Sequence, residues 1–122
     1  MHNAFKYHID GFDADKIGER LTRIIIQEFG VTPERHEETA ADDTIETTSG
    51  IESLPSLVLV IPDSVLDAVN LFDRLKKRKQ LDALLDYSKR MLLQNSEIRI
   101  QIEKTDGTLI SLNEVSSSDL LV

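Results

Sequence analysis

EIRIQIEKTDGTLISL, residues 97–112, is the stretch that decides the fold. Ile98, Ile100 and Ile102 point one way and Arg99, Gln101 and Glu103 the other, the two-residue period of a strand with one buried face. Asp106-Gly107 supplies a turn, and the apolar pattern tests its length. A two-residue loop sets Ile102 opposite Ser111 and Ile100 opposite Asn113, which splits the apolar face. A three-residue loop, Thr105-Asp106-Gly107, pairs Ile102 with Ile110 and Ile100 with Leu112. It keeps the apolar side chains together and puts Gly107 in the left-handed bulge position, so this register is expected.

Upstream, residues 5–9 alternate in the same way, with Phe5, Tyr7 and Ile9 on one face and Lys6 and His8 on the other. Gly11 ends the strand. Asp13 stands where a helix N-cap is wanted, and Ile17, Leu21, Ile24, Ile25 and Phe29 recur at helical spacing. Gly30 follows as a left-handed C-cap and Pro33 bars continuation, which predicts a helix over 14–29. VTPERHEETA (31–40) has the charges and proline of an edge strand. AADDTIETTSG (40–50) has the composition of a loop, expected to be mobile over 40–52. In SLPSLVLVIPDS (53–64), Leu57–Ile61 reads either as a buried strand or as a buried helical turn from Pro55 to Pro62.

Asp63 to Gln94 contains neither glycine nor proline. Asp63 or Ser64 can cap, and Val65, Leu66, Val69, Phe72 and Leu75 form an apolar stripe that resumes at Leu81, Leu84, Leu85 and Leu92. Leu66 and Leu84 are 18 residues apart, five turns of one helix, so the stripe is expected to stay in phase. A single helix over 63–94 would be about 48 Å long, more than so small a domain is wide. It either breaks near Lys76–Gln80 or projects and needs a partner. SSSDLLV, at 116–122, is a polar break with a short apolar end. The order is β-α-(β)-α-α-β-β, with 57–61 as an optional extra strand. The expectation is one α+β domain over 1–122, a small, mostly antiparallel sheet with helices packed on one face.

Composition removes several function classes. The chain of 122 residues has no cysteine, which excludes disulfides, thiolate chemistry and cysteine zinc sites. MHNAFKYHID lacks the basic and apolar segments of a secretory signal, and the apolar run Leu57–Ile61 is far short of the roughly 20 residues of a membrane span. A soluble cytoplasmic protein is expected. Net charge is −8, against nucleic acid as main partner. Residues 1–70 carry 14 acidic and 5 basic side chains, and residues 71–122 carry 8 and 9. Five cations crowd together at Arg74, Lys76, Lys77, Arg78 and Lys79.

Sites of chemistry are sparse. His8, on the polar face of the first strand, and His36, beside Glu37 and Glu38, would approach a carboxylate if the first two strands paired, a conceivable metal site. Solvated edge-strand side chains explain them more simply. Asp42-Asp43 forms an acidic pair, but GFDADK lacks the glycine and distal glutamate of a calcium loop. The 5 glycines are unclustered, so no phosphate-binding loop is present, and no serine sits in a nucleophile elbow. RLKKRK has no interleaved aromatic for base stacking. It reads as a solvated helix face or inter-helix turn, or as a surface for nucleic acid, an acidic lipid, an acidic protein or a second copy. The candidate interaction residues are therefore Arg74, Lys76, Lys77, Arg78 and Lys79 on one side and Glu37, Glu38, Asp42 and Asp43 on the other. No catalytic residue, cofactor or metal ligand is assigned.

The succession of an amphipathic first helix (Asp13–Phe29), a polar strand-loop stretch, an apolar segment with a helix ending in a basic cluster (Leu54–Lys79) and the closing hairpin resembles the bacterial effector-associated constant component proteins. QLDALLDYSKRMLLQN (80–95) lengthens that pattern. The resemblance implies an adaptor in a multi-component signalling or defence system whose effectors include caspase-like peptidases, with no catalytic residues. The leading expectation is a non-enzymatic protein–protein interaction module that binds another protein, an effector or peptidase, or itself as a homo-oligomer. An acidic immunity protein masking a cationic toxin is the second reading, and a metal-dependent enzyme using His8 and His36 the third.

Overall fold

The computed structural model describes residues 4–39, 55–95 and 97–121. The loop expected at 40–52, with Asp42 and Asp43, lies outside them. The chain runs β1 (Ala4–Asp10), α1 (Ala14–Phe29), β2 (Glu34–Thr39), β3 (Pro55–Pro62), a single 3-10 turn (Asp63–Leu66), α2 (Leu71–Gln94), β4 (Arg99–Glu103), β5 (Leu109–Ser111) and α3 (Ser117–Leu120). The sheet order is β2-β3-β1-β4-β5, with every pair antiparallel. Through β4 this is the split β-α-β arrangement of ferredoxin-like plaits, and β5 adds a strand at the free edge. The fold is α+β with the helices on one face of the sheet.

Alternation makes the sheet one-sided. Phe5, Tyr7 and Ile9 of β1 are fully buried and lie in register with Ile61, Leu59 and Leu57 of β3. Tyr7 and Ile9 also face Ile102 and Ile100 of β4. Ile17, Leu21 and Ile25 of α1 and Leu81, Leu84 and Leu85 of α2 close over them in one cluster. Residues 57–61 are strand, because β1 and β2 pair with both edges of β3 and satisfy its backbone. VTPERHEETA contains the expected edge strand.

The hairpin takes the three-residue register: Ile102 lies opposite Ile110, and the Leu112 N–H donates to the Ile100 carbonyl at 3.1 Å. Gly107 is left-handed, with φ 91°. α1 has the expected bounds, and the Gly30 N–H donates to Ile26 O at 2.8 Å. Asp13 occupies the N-cap position, but its side chain makes no cap bond; its carbonyl accepts from the Ile17 N–H at 3.0 Å instead. The β1–α1 junction needs glycine. Gly11 has φ 137°, and a Cβ there would lie 2.7 Å from the Glu97 carbonyl oxygen.

The region 63–94 departs from expectation. The break falls at Asp67–Asn70 and not at Lys76–Gln80, and the part before it is one 3-10 turn whose N-cap position is Pro62. Asn70 caps α2: its side chain accepts from the Asp73 N–H at 2.8 Å, and the Asp73 carboxylate accepts from the Val69 N–H at 3.3 Å. Asp73 in the first turn also complements the helix dipole. The C-terminal segment is docked. Ser116 and Asp119 form a capping box for α3, Leu120 is buried, and the Ser116 backbone N–H holds the Asp119 carboxyl below its usual range.

One polar pair sits inside the core. The Ser88 hydroxyl donates to the Leu84 carbonyl at 2.7 Å, so its oxygen accepts from the Tyr7 hydroxyl at 2.8 Å. Ser88→Ala is expected to lower stability by about 1–3 kcal/mol in urea denaturation by orphaning that hydroxyl, and adding Tyr7→Phe should recover most of the loss. Burial pushes the Tyr7 phenol well above its usual pKa, against a weaker lowering by Ser88. The unfolded chain therefore releases this proton first. Stability should hold below about pH 10 and fall above it, and Tyr7→Phe should remove that part of the slope.

Candidate interaction surface

α2 is built in two halves with different jobs. Leu81, Leu84, Leu85, Ser88 and Met91 are buried on one side of its second half. Its first half stands clear of the core and is held by its cap and by helix-favouring Leu, Lys, Arg and Gln. Gln80 marks the changeover, where its side-chain amide donates to the Glu28 carbonyl at the end of α1 at 2.6 Å.

The apolar residues of the first half, and Val69 just ahead of its cap, are not core residues. Val69 is 87% exposed, Leu71 69%, Phe72 80% and Leu75 52%. The break at Asp67–Asn70 removes the single-helix phase that linked Leu66 to Leu84. Within α2, Leu75 and Leu84 are nine residues apart, about two and a half turns, which puts them on opposite sides. The outward side carries Leu71 and Leu75, then Arg78, Asp82 and Asp86, then Leu93, which is 83% exposed. Sequence periodicity already held this half-turn offset; it was hidden by phasing from Leu66.

The basic cluster rides on this half. Arg74, Lys76, Arg78 and Lys79 are exposed and Lys77 is half-buried; among the described residues none of the five makes an ion pair. An open groove of about 580 Å³ lies beside the helix start, lined among others by Leu66, Val69, Leu71, Arg74, Thr105 and Leu120.

The acidic candidates lie elsewhere. Glu37 is on the edge strand β2, and its carboxylate pairs with Arg35 at 3.2 Å; the same guanidinium also binds Asp15 of α1. Arg35 and Glu37 lie in register with Leu59 and Leu57, so the charges occupy the helix-side face of the edge strand, a device that discourages further strand addition. Glu38 pairs its backbone with Ser56. The structure does not join Glu37 to the basic cluster, and Asp42 and Asp43 lie outside the described residues.

The two histidines are on the uncovered face of the sheet but do not meet. β1 and β2 do not pair: β3 runs between them, and His8 and His36 both face Val58 in register, about 10 Å apart across two strand spacings. Each has its own carboxylate. His8 Nε2 lies 2.8 Å from Glu103 Oε1, and His36 Nε2 lies 3.2 Å from Glu34 Oε1. Lys6 Nζ approaches the other Glu103 oxygen at 3.9 Å. No group of three or more His, Asp or Glu side chains with metal-binding geometry occurs among the described residues. The expected approach of both imidazoles to one carboxylate is therefore corrected by the inserted strand.

No protein-family model, curated protein or solved structure matches the chain. No helix among the described residues is long and apolar enough to cross a membrane. The division of α2 predicts opposite mutational responses. Leu84→Ala should cost about 2–5 kcal/mol in chemical denaturation, whereas Phe72→Ala should stay within about 0.5 kcal/mol of wild type.

Proposed function

We propose that the chain is a non-enzymatic protein–protein interaction module, an adaptor or regulatory subunit of a bacterial multi-component signalling or defence system. One observation carries this reading: Val69, Leu71, Phe72 and Leu75 are clustered in water at the start of a helix whose other half builds the core. Isolated exposed apolar residues are ordinary, but a contiguous group beside charged residues marks a contact surface. Helical anchors two or three turns long are a common way to enter a partner's groove. The likeness of the element order to the effector-associated constant component proteins supports the adaptor role, and the basic cluster beside the anchors suits a partner with acidic groups.

The test is binding between the tagged chain and the products of the genes that flank its own. Phe72→Glu with Leu75→Glu should weaken capture by about 30-fold or more, the loss of a contact worth about 2 kcal/mol. The circular-dichroism spectrum and thermal midpoint should stay unchanged, because neither residue belongs to the core cluster. Undiminished binding by this double variant would overturn the reading.

A further inference from the structure

We infer that the outward face of α2 pairs antiparallel with the same face of a second copy; this deepens the reading of α2 as an interaction element and rests on it. The face is exposed at Leu71, Leu75, Arg78, Lys79, Asp82, Asp86 and Leu93, and half-buried at Lys89, whose ammonium donates to the Val115 carbonyl at 2.9 Å. Leu75 and Leu93 are 18 residues apart, about five turns, and so share one side. Both ends of the face are apolar, its middle holds two cations followed by two carboxylates, and exposed Arg90 stands at its margin near Leu93.

That order is self-complementary only when the helices run in opposite directions. Placing Leu71 and Phe72 against Leu93 of the second copy brings Arg78 and Lys79 opposite Asp86 of that copy, and the two-fold axis falls near Asp82. The two Asp82 side chains then lie close to each other, a repulsion offset by Arg78 and Lys79 of the facing helix one turn away. Leu75 packs against the methylene stem of Arg90 of the other copy, which is exposed. A two-fold pair repeats each contact, so two charge-matched groups and two apolar ends form together.

Other occupants fit less well. A parallel pair would set Arg78 and Lys79 against the same cations. An anionic lipid surface would meet Asp82 and Asp86 on the very stripe that carries the anchors, and like charges there oppose binding.

Sedimentation equilibrium and light scattering of the full chain, with charge-reversed variants, test this. Wild type should be a dimer. Arg78→Glu/Lys79→Glu and Asp82→Lys/Asp86→Lys should each weaken self-association about tenfold or more, and an equimolar mixture of the two variants should form a heterodimer at least as tight as wild type. A chain without cysteine permits a second readout: a Leu71→Cys chain mixed with a Leu93→Cys chain should cross-link under mild oxidation faster than either alone. A wild type that stays monomeric at tens of micromolar overturns the pairing, as do variants that self-associate like wild type. Monomeric wild type that floats with anionic vesicles also overturns it, in favour of a lipid surface. If the chain is monomeric yet Phe72→Glu/Leu75→Glu still abolishes capture of a flanking gene product, self-pairing fails while the interaction reading stands. If capture is unaffected too, both fail.

Discussion

The fold depends on β1 being paired along both edges. Its residues bond β3 on one side and β4 on the other, and Phe5, Tyr7 and Ile9 form the fully buried centre of the helix-covered face. These pairings join segments about 50 and 90 residues distant in sequence, so the chain must close long loops before the core gains contacts. Everything else follows from that placement. α1 must cross over to deliver β2 beyond β3, α2 must return to deliver β4 to the free edge of β1, and the helices must cover the side where the alternate residues are apolar.

The consequence for α2 is a mismatch between length and core. A helix of 24 residues is about 36 Å long, while the sheet face it shares with α1 occupies only its second half. The first half folds on local terms, through Asn70 and Asp73 and good helix-forming residues, and leaves Leu71, Phe72 and Leu75 in water, with Val69 just ahead of the cap making a fourth. Burying each would yield about 1.5–3 kcal/mol, so together they rival the net stability of a whole domain, about 5–15 kcal/mol. That much unspent burial at one end of one helix explains why the surface, rather than any pocket in the core, is where function is sought.

The sequence was most legible where two independent signals agreed. In the hairpin, turn length and apolar register had one common solution; in α1, the period of the isoleucines and leucines agreed with Gly30. For 57–61 a single signal was available, a run of five apolar residues, and strand was decided only by the edges of β1 and β2 that it joins. For 63–94 the signals conflicted without showing it. The absence of glycine and proline favoured one long helix, whereas Asp67 and Asn70 favoured a break by competing for backbone bonds. Asn70 followed by Asp73 was the readable cap, and Leu75, nine residues from both Leu66 and Leu84, already stood half a turn away from their stripe. His8 and His36 failed for a different reason: no local pattern in a strand says which other strand will come between two partners.

A sum of charge over halves of the chain is a poor guide, because the fold redistributes it. Among the described residues, four carboxylates of the acidic half have neighbours: Asp15 and Glu37 share Arg35, Glu34 faces His36, and Asp10 accepts from the Ser56 hydroxyl at 2.7 Å. These four carboxylates are occupied by neighbours. On α2 the opposite holds. Arg78, Lys79, Asp82 and Asp86, which make no ion pair among the described residues, stand along one exposed stripe, two cations and two carboxylates whose sum is zero and which a net-charge tally therefore cannot see. Their order along the helix carries the information: cations next to the apolar anchors, carboxylates toward Leu93. Such an order distinguishes antiparallel from parallel neighbours by the sign of every facing pair, and that is a stronger constraint on the partner than the basic cluster or the acidic half taken alone.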